Sequence, residues 1–177
     1  MLNVFLDTEF TNFLDTDLIS IGMVAQTGEE FYAEVPYPDA ACSPFVREVV
    51  VPLLDRKPLS FCSKPELGRR ILSWLNIVRP RSDSDVCICY DYETDWCLFA
   101  DAFDEQIFRP MSDHFQGRIP CCVPSHMPSR MPRWIQRANV NRNINALMQW
   151  DFYKQRQLSE HHALNDAGAL RHAYRPR

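Results

Sequence analysis

The chain carries no excess of positive charge. Nineteen Lys and Arg stand against twenty-three Asp and Glu, giving a formal charge of −4 at pH 7 and a pI near 5.7. That lowers the expectation of a broad basic surface for holding phosphates and leaves a local patch or bridging metal ions as the routes to a polyanion. No apolar run approaches the roughly 20 residues that span a bilayer as a helix, so no membrane crossing is expected. Residues Met1 to Leu6 are too short for a secretory apolar core and charge follows at once, so a cytoplasmic location is expected by default. The cysteines lack any repeated spacing. Cys87-Ile88-Cys89 lies in an apolar run, and Cys121-Cys122 has no second pair to complete a zinc site, which points to reduced thiols. Internal repeats, low-complexity tracts and interdomain linkers are missing as well. What remains, 177 residues of which 46% are hydrophobic and 24% charged, fits one domain over residues 1–177 with a good-sized core.

Within that domain the first 35 residues have a strand rhythm. Leu2 to Asp7, Leu18 to Ala25 and Glu30 to Val35 read as three strands in an antiparallel meander, with Thr27-Gly28-Glu29 as a turn and Pro36 and Pro38 ending the sheet. Ser43-Pro44 opens an expected helix whose apolar residues run to Leu54. A second helix begins at Ser63, with Pro65 in its first turn and Glu66 completing a capping box. Val86 to Tyr90 is a short continuous apolar run, the mark of a buried strand, and a helix is expected from about Asp95 to Phe103. The proline-rich stretch from Asp104 to Arg133 holds a candidate strand at Ile119–Val123. Trp134 to Trp150 reads as one helix or two, and a last helix covers Leu164 to Tyr174. A meander followed by alternating helices and strands gives an α/β layered fold with a mixed sheet.

Three acidic segments carry the chemistry. Side chains two apart on a strand share a face, so Asp7 and Glu9 point the same way at the end of an apolar run, where uncompensated charge is costly. A carboxylate arriving from a distant helix makes a divalent metal site the natural reading; solvated strand-end acids are the bland alternative. After the buried strand come Asp91, Glu93 and Asp95. Asp95 fits a helix N-cap as readily as a metal ligand, Asp91 competes with it for the metal role, and Glu93 is expected to face water. In His161-His162-Ala163-Leu164-Asn165-Asp166, Asp166 falls in the first turn of the last helix and His161 in the loop before it. Ala163 leaves room for a close approach, and spacing favours His161 over His162. A loop histidine beside a helix-borne carboxylate suits a general base; an Asp that merely satisfies a helix N-terminus is the alternative.

Taken in order, Asp7-x-Glu9, Asp95 and His161-x-Ala163-x-x-Asp166 resemble the DEDD superfamily of 3′–5′ exonucleases, histidine subtype, which includes RNase T and oligoribonuclease. The form Asp7-Thr8-Glu9-Phe10, with Asp91 through Trp96, is most similar to the small bacterial exoribonucleases of the RNase AS type. Phe10-Thr11 departs from the small residue pair that many relatives carry there, and Asp91 stands where they usually have asparagine. The resemblance covers nearly the whole chain. It implies an RNase H-like fold in which Asp7, Glu9, Asp95 and Asp166 hold two divalent ions and His161 acts as general base. Hard oxygen donors favour Mg²⁺ or Mn²⁺ over zinc. The implied reaction is hydrolysis from the 3′ end of RNA, with DNA ends or a non-catalytic nucleic-acid binder as rival readings. Phe10 is placed to stack on a terminal base, Trp96 is more simply read as core, and Thr11 is a candidate contact to the terminal sugar. Arg130, Arg133 and Arg137 are a candidate guide for the phosphate backbone, against the plainer reading of a solvated face. By resemblance alone the chain is also compatible with a homodimer.

Overall fold

The computed structural model describes residues 1–103 and 131–176. Its sheet has five strands in the order β3-β2-β1-β4-β5, formed by β1 (Leu2–Phe10), β2 (Leu18–Ala25), β3 (Glu30–Glu34), β4 (Val86–Tyr90) and β5 (Ile135–Asn139). The first three pair antiparallel, with β2 reversing into β3 at the Gly28 turn, whereas β4 and β5 join parallel on the other side of β1. Helices α1 (Lys64–Val78) and α2 (Glu93–Asp101) precede and follow β4, and α3 (Ala146–Arg156) and α4 (Ala163–Ala173) close the chain. This is the expected RNase H-like mixed sheet flanked by helices.

β1 is buried on both faces, and the two faces serve different layers. Val4 and Leu6 join the large core with Leu67, Ile71 and Leu75 of α1 and Trp96 and Phe99 of α2. Phe5 faces the other way, toward Cys87, Cys89 and Leu170 of α4. Asp7 and Glu9 continue the Phe5 face, so the strand's period of two aims both acids toward α4. Cys42, Cys62, Cys87 and Cys89 are buried free thiols, while the Cys121-Cys122 pair, the candidate strand Ile119–Val123 and Arg130 lie outside the described residues. Among the described residues no helix is long and apolar enough to cross a membrane.

The expected elements hold in outline, with three differences. The Ser63 capping box is present, its backbone N–H donating to Glu66 Oε2 at 3.0 Å. The helix expected after Ser43-Pro44 is instead a π-helix at Val46–Val50 running into a 3₁₀ turn at Val51–Leu53. Pro52 has no N–H to donate to the previous turn, which ends the π-helix there. Trp134 to Trp150 is not helical throughout. Ile135–Asn139 becomes the edge strand β5, and α3 starts only after Asn145, whose Oδ1 accepts from the N–H groups of Leu147 at 3.1 Å and Met148 at 3.4 Å. Gln136, Arg137 and Ala138 favour helix in isolation, but the parallel ladder to β4 overrides that preference. Finally, β1 continues past Asp7 to Phe10, with a register shift against β2 between Glu9 and Phe10. Bulges of this kind re-aim side chains beside functional sites.

One glycine decides where α4 sits. Gly22 of β2 lies opposite Asp7, and a Cβ there would stand 2.3 Å from the Ala163 carbonyl group and the Leu164 nitrogen. The start of α4 therefore rests directly on the sheet, one strand away from Asp7. Gly22→Ala must push α4 outward, and we expect a destabilisation of about 1–3 kcal/mol or more, read from urea unfolding.

Candidate metal centre

Parallel pairing between β1 and β4 covers only Leu2–Phe5 against Val86–Cys89. Beyond Phe5 the edge of β1 is no longer covered by β4, whose chain turns away after Tyr90 into α2. This opens a gap at the carboxyl ends of two adjacent parallel strands, where open α/β sheets place their ligands. Asp95, in the first turn of α2, enters the gap and is almost fully buried, at 2% exposure. Its Oδ1 accepts from the Thr8 backbone N–H at 3.2 Å and from Thr8 Oγ1 at 2.7 Å. Asp95 thus satisfies the freed β1 edge from the first turn of its own helix. Thr8, passed over in the sequence, is the residue that fixes it.

The acids meet in two groups. Asp7, Asp91 and Asp95 offer carboxylate oxygens within 4.8 Å of one another, and Glu9, Asp166 and His161 offer ligand atoms within the same span. Asp91 and Asp95, posed as rivals by the sequence, therefore both stand beside Asp7. Asp166 lies in the first turn of α4 with both oxygens held: Tyr153 Oη donates to Oδ1 at 2.7 Å and the His161 backbone N–H donates to Oδ2 at 3.0 Å. His161 occupies the loop before α4 with a left-handed backbone, φ 64°, a conformation that is costly for a side-chain-bearing residue and collects at functional sites. Phe45 meets its ring edge-on with centroids 5.0 Å apart. His162 points elsewhere. It stacks on Tyr32 at 4.7 Å, with Nε2 3.8 Å from Asp55, and burial pushes its pKa down.

Every acid of the cluster is raised above the ordinary carboxylate range. Burial is the largest cause in each case. It raises Asp7 well above the ordinary carboxylate range, with Asp95, Asp166, Glu9 and Asp91 adding repulsion. Glu9 is pushed up to about 8, Asp95 to about 7 despite the Thr8 hydrogen bonds, and Asp166 to about 6 despite Tyr153 and His161. Asp91 is raised too. Five buried or half-buried carboxyls with no Lys or Arg paired to them among the described residues fit divalent cations, which would supply the missing positive charge. With no thiol in either group, the donors suit Mg²⁺ or Mn²⁺.

The surroundings sort the remaining candidates. Phe10 is half-buried against the large core and edge-on to Phe13 with centroids 5.1 Å apart, and Phe13 meets Tyr92 at 6.1 Å. Phe13 is 71% exposed and Tyr92 51%, so an aromatic edge faces solvent beside the acids. The sequence reading missed Phe13 and Tyr92; an aromatic in the short loop between β1 and β2 was the available signal. Thr11 is fully buried, its hydroxyl donating to the Asp15 carbonyl at 2.9 Å and accepting from the Asp17 N–H at 3.0 Å. Its backbone N–H and carbonyl are bonded to Asp17 and Ser43, so Thr11 shapes the loop and presents no group to a sugar. Trp96 is core, stacked on Tyr90 and tilted against Phe99. Glu93 does not simply face water, because Arg137 binds its Oε1 at 3.0 Å while lying 5.3 Å over the Trp96 ring. That ties β5 to the first turn of α2 and removes Arg137 as a free guide for a phosphate backbone.

Comparison with known proteins places this geometry in context. No family model matches the chain, and no curated protein matches it in sequence. Among solved structures it is similar to the nuclease domain of 3′hExo, described as a DEDDh family member bound to rAMP, with a TM-score of 0.53 and 15% identity over 96% of this chain and 88% of that one. At that identity the likeness establishes a shared fold, the one from which the site above is built.

Proposed function

We propose that the chain is a divalent-metal-dependent 3′–5′ exoribonuclease, a single domain over residues 1–177 that removes nucleotides from RNA 3′ ends in the cytoplasm. The observation that carries this reading is the pairing of the two ligand groups, Asp7–Asp91–Asp95 and Glu9–Asp166–His161, in one gap at the strand ends. The similar fold of a nuclease domain whose structure holds rAMP supports it and favours a ribonucleotide end. A protein that only bound nucleic acid would gain nothing from packing five acids against a polyanion.

Asp7, Glu9, Asp95 and Asp166 would hold two Mg²⁺ or Mn²⁺ ions, with Asp91 as an added carboxylate beside Asp7 and Asp95. Bound there, such ions stabilise the negative charge that builds on a phosphodiester during hydrolysis and balance the repulsion between acids and substrate. His161, free of the core and adjacent to Glu9 and Asp166, takes the proton from the attacking water. The bond from phosphorus to the penultimate 3′ oxygen breaks, and the terminal nucleotide leaves with its 5′ phosphate. Phe10, with Phe13 and Tyr92 at the exposed edge, stacks on the unpaired end of the strand.

The test is a side-by-side assay of 5′-labelled RNA and DNA of equal sequence, with Mg²⁺ and with chelator. A ladder of products shortening one nucleotide at a time on RNA, lost with chelator, is the expected result. Faster shortening of DNA would move the assignment to deoxyribonucleic ends, and no shortening of either would end it. In the same assay His161→Ala should lower the rate by about 10²–10⁴-fold, the usual worth of a positioned base, while His162→Ala keeps at least a tenth of wild-type activity. The reverse pattern would contradict the assignment of the base.

A further inference from the structure

Both histidine and carboxylate in the second ligand group depend on a residue that neither motif contains. We propose that Tyr153 is a positioning residue, holding Asp166 in its ligand geometry and anchoring the loop that delivers His161. The inference rests on the exonuclease reading and concerns the same site.

Tyr153 lies in the last turn of α3, and it touches the loop from two sides. Its phenol O–H donates to Asp166 Oδ1 at 2.7 Å, and its backbone carbonyl accepts the N–H of Leu158 at 3.1 Å as the chain leaves the helix. Gln157 makes that exit possible with a left-handed backbone, φ 55°, the usual way a helix ends before a reversal. Further on, Asn165 Nδ2 donates to the Ser159 carbonyl at 3.0 Å, and the His161 N–H donates to the other oxygen of Asp166. The loop between α3 and α4 is therefore pinned at its start by the Tyr153 backbone and at its end through the carboxylate that the Tyr153 phenol holds. Among the described residues, Asp166 without the phenol keeps a single hydrogen bond, from a backbone N–H that itself sits in the loop.

The arrangement also leaves the carboxylate free to bind cations. Each oxygen accepts one hydrogen bond and retains a lone pair directed elsewhere. A neutral phenol donor orients the group without neutralising it, unlike an arginine or lysine partner, which would compete with a metal. Hydrogen-bonded supports of metal ligands are commonly worth 10–100-fold in affinity or activity.

Tyr153→Phe keeps the ring, which packs edge-on against Phe152 at 5.8 Å, and removes only the donor. Mn²⁺ binding followed by electron paramagnetic resonance should weaken by about tenfold or more at one of the sites, and kcat on RNA should fall by about 10–100-fold with KM within about threefold. Added to Asp166→Asn, the same substitution should weaken Mn²⁺ binding no further, because its only path to the metal runs through that carboxylate. Mn²⁺ affinity and kcat both within twofold of wild type would overturn the proposal, as would an equal loss of affinity in the Asp166→Asn background. Wild-type protein that took up no Mn²⁺ would overturn the metal-site reading as well, which separates that failure from this one.

Discussion

Asp7→Asn should eliminate Mg²⁺-dependent cleavage, by roughly a thousandfold or more, about 4 kcal/mol of transition-state stabilisation, while making the metal-free protein more stable at pH 8. The two effects have one cause. Asp7 is half-buried among Glu9, Asp91, Asp95 and Asp166 with its carboxyl raised well above the ordinary range, so its ionised form is a burden on the metal-free fold. An amide of the same shape removes that charge and its repulsion but gives a cation a much weaker ligand. Structural acids behave otherwise: losing one that holds the fold together lowers stability along with activity. Cleavage assays paired with chemical unfolding in chelator distinguish the cases, and a variant that is both inactive and less stable would count against a charge cluster built for metal.

A second large effect follows from the same carboxyls. Glu9 is pushed from 4.5 to about 8, Asp95 from 3.8 to about 7 and Asp166 from 3.8 to about 6. The folded state therefore binds protons that the unfolded chain has released at the same pH. The sign is fixed: stability from these groups is fully present below about pH 4 and is lost as pH rises through about 6, 7 and 8. Metal ions need the ionised forms, so they should restore at high pH what the protons supplied at low pH. At pH 8, Mn²⁺ near a hundred times its Kd contributes about 2.7 kcal/mol, a rise in Tm of about 5–10 °C for a chain of this size. At pH 5 the same addition should raise Tm by less than about 2 °C. Thermal melts across that range, with and without Mn²⁺, test it; equal shifts at both values would show that the ions bind elsewhere.

The legible parts of the fold are those where local pattern and tertiary demand agree. Apolar runs at β1 and β2, alternation at β3 and the turn between the last two mark the meander, and a continuous apolar run marks β4, because each strand's burial is written into its own side chains. β5 was missed for the opposite reason: Ile135-Gln136-Arg137-Ala138-Asn139 is a partly exposed edge, held by a ladder whose partner is some fifty residues away. At the site, the face shared by Asp7 and Glu9 and the loop place of His161 could be read from spacing. The joining of Asp91 and Asp95 to Asp7 could not, since it depends on where β4 leaves β1. Thr8 and Tyr153 gave no signal either, because a hydroxyl's hydrogen-bond partner is set by packing. Adjacency to Glu9 marks Thr11 as a candidate sugar contact, whereas packing buries it and ties its hydroxyl into the loop at Asp15 and Asp17.

Anomalous diffraction from a crystal soaked in Mn²⁺ at pH 8 tests the central claim most directly. Two peaks are predicted, one against Asp7, Asp91 and Asp95 and the other against Glu9 and Asp166, the first lost in the Asp7→Asn variant. Absence of any peak among these oxygens, with the carboxylates ordered and in place, would contradict the account.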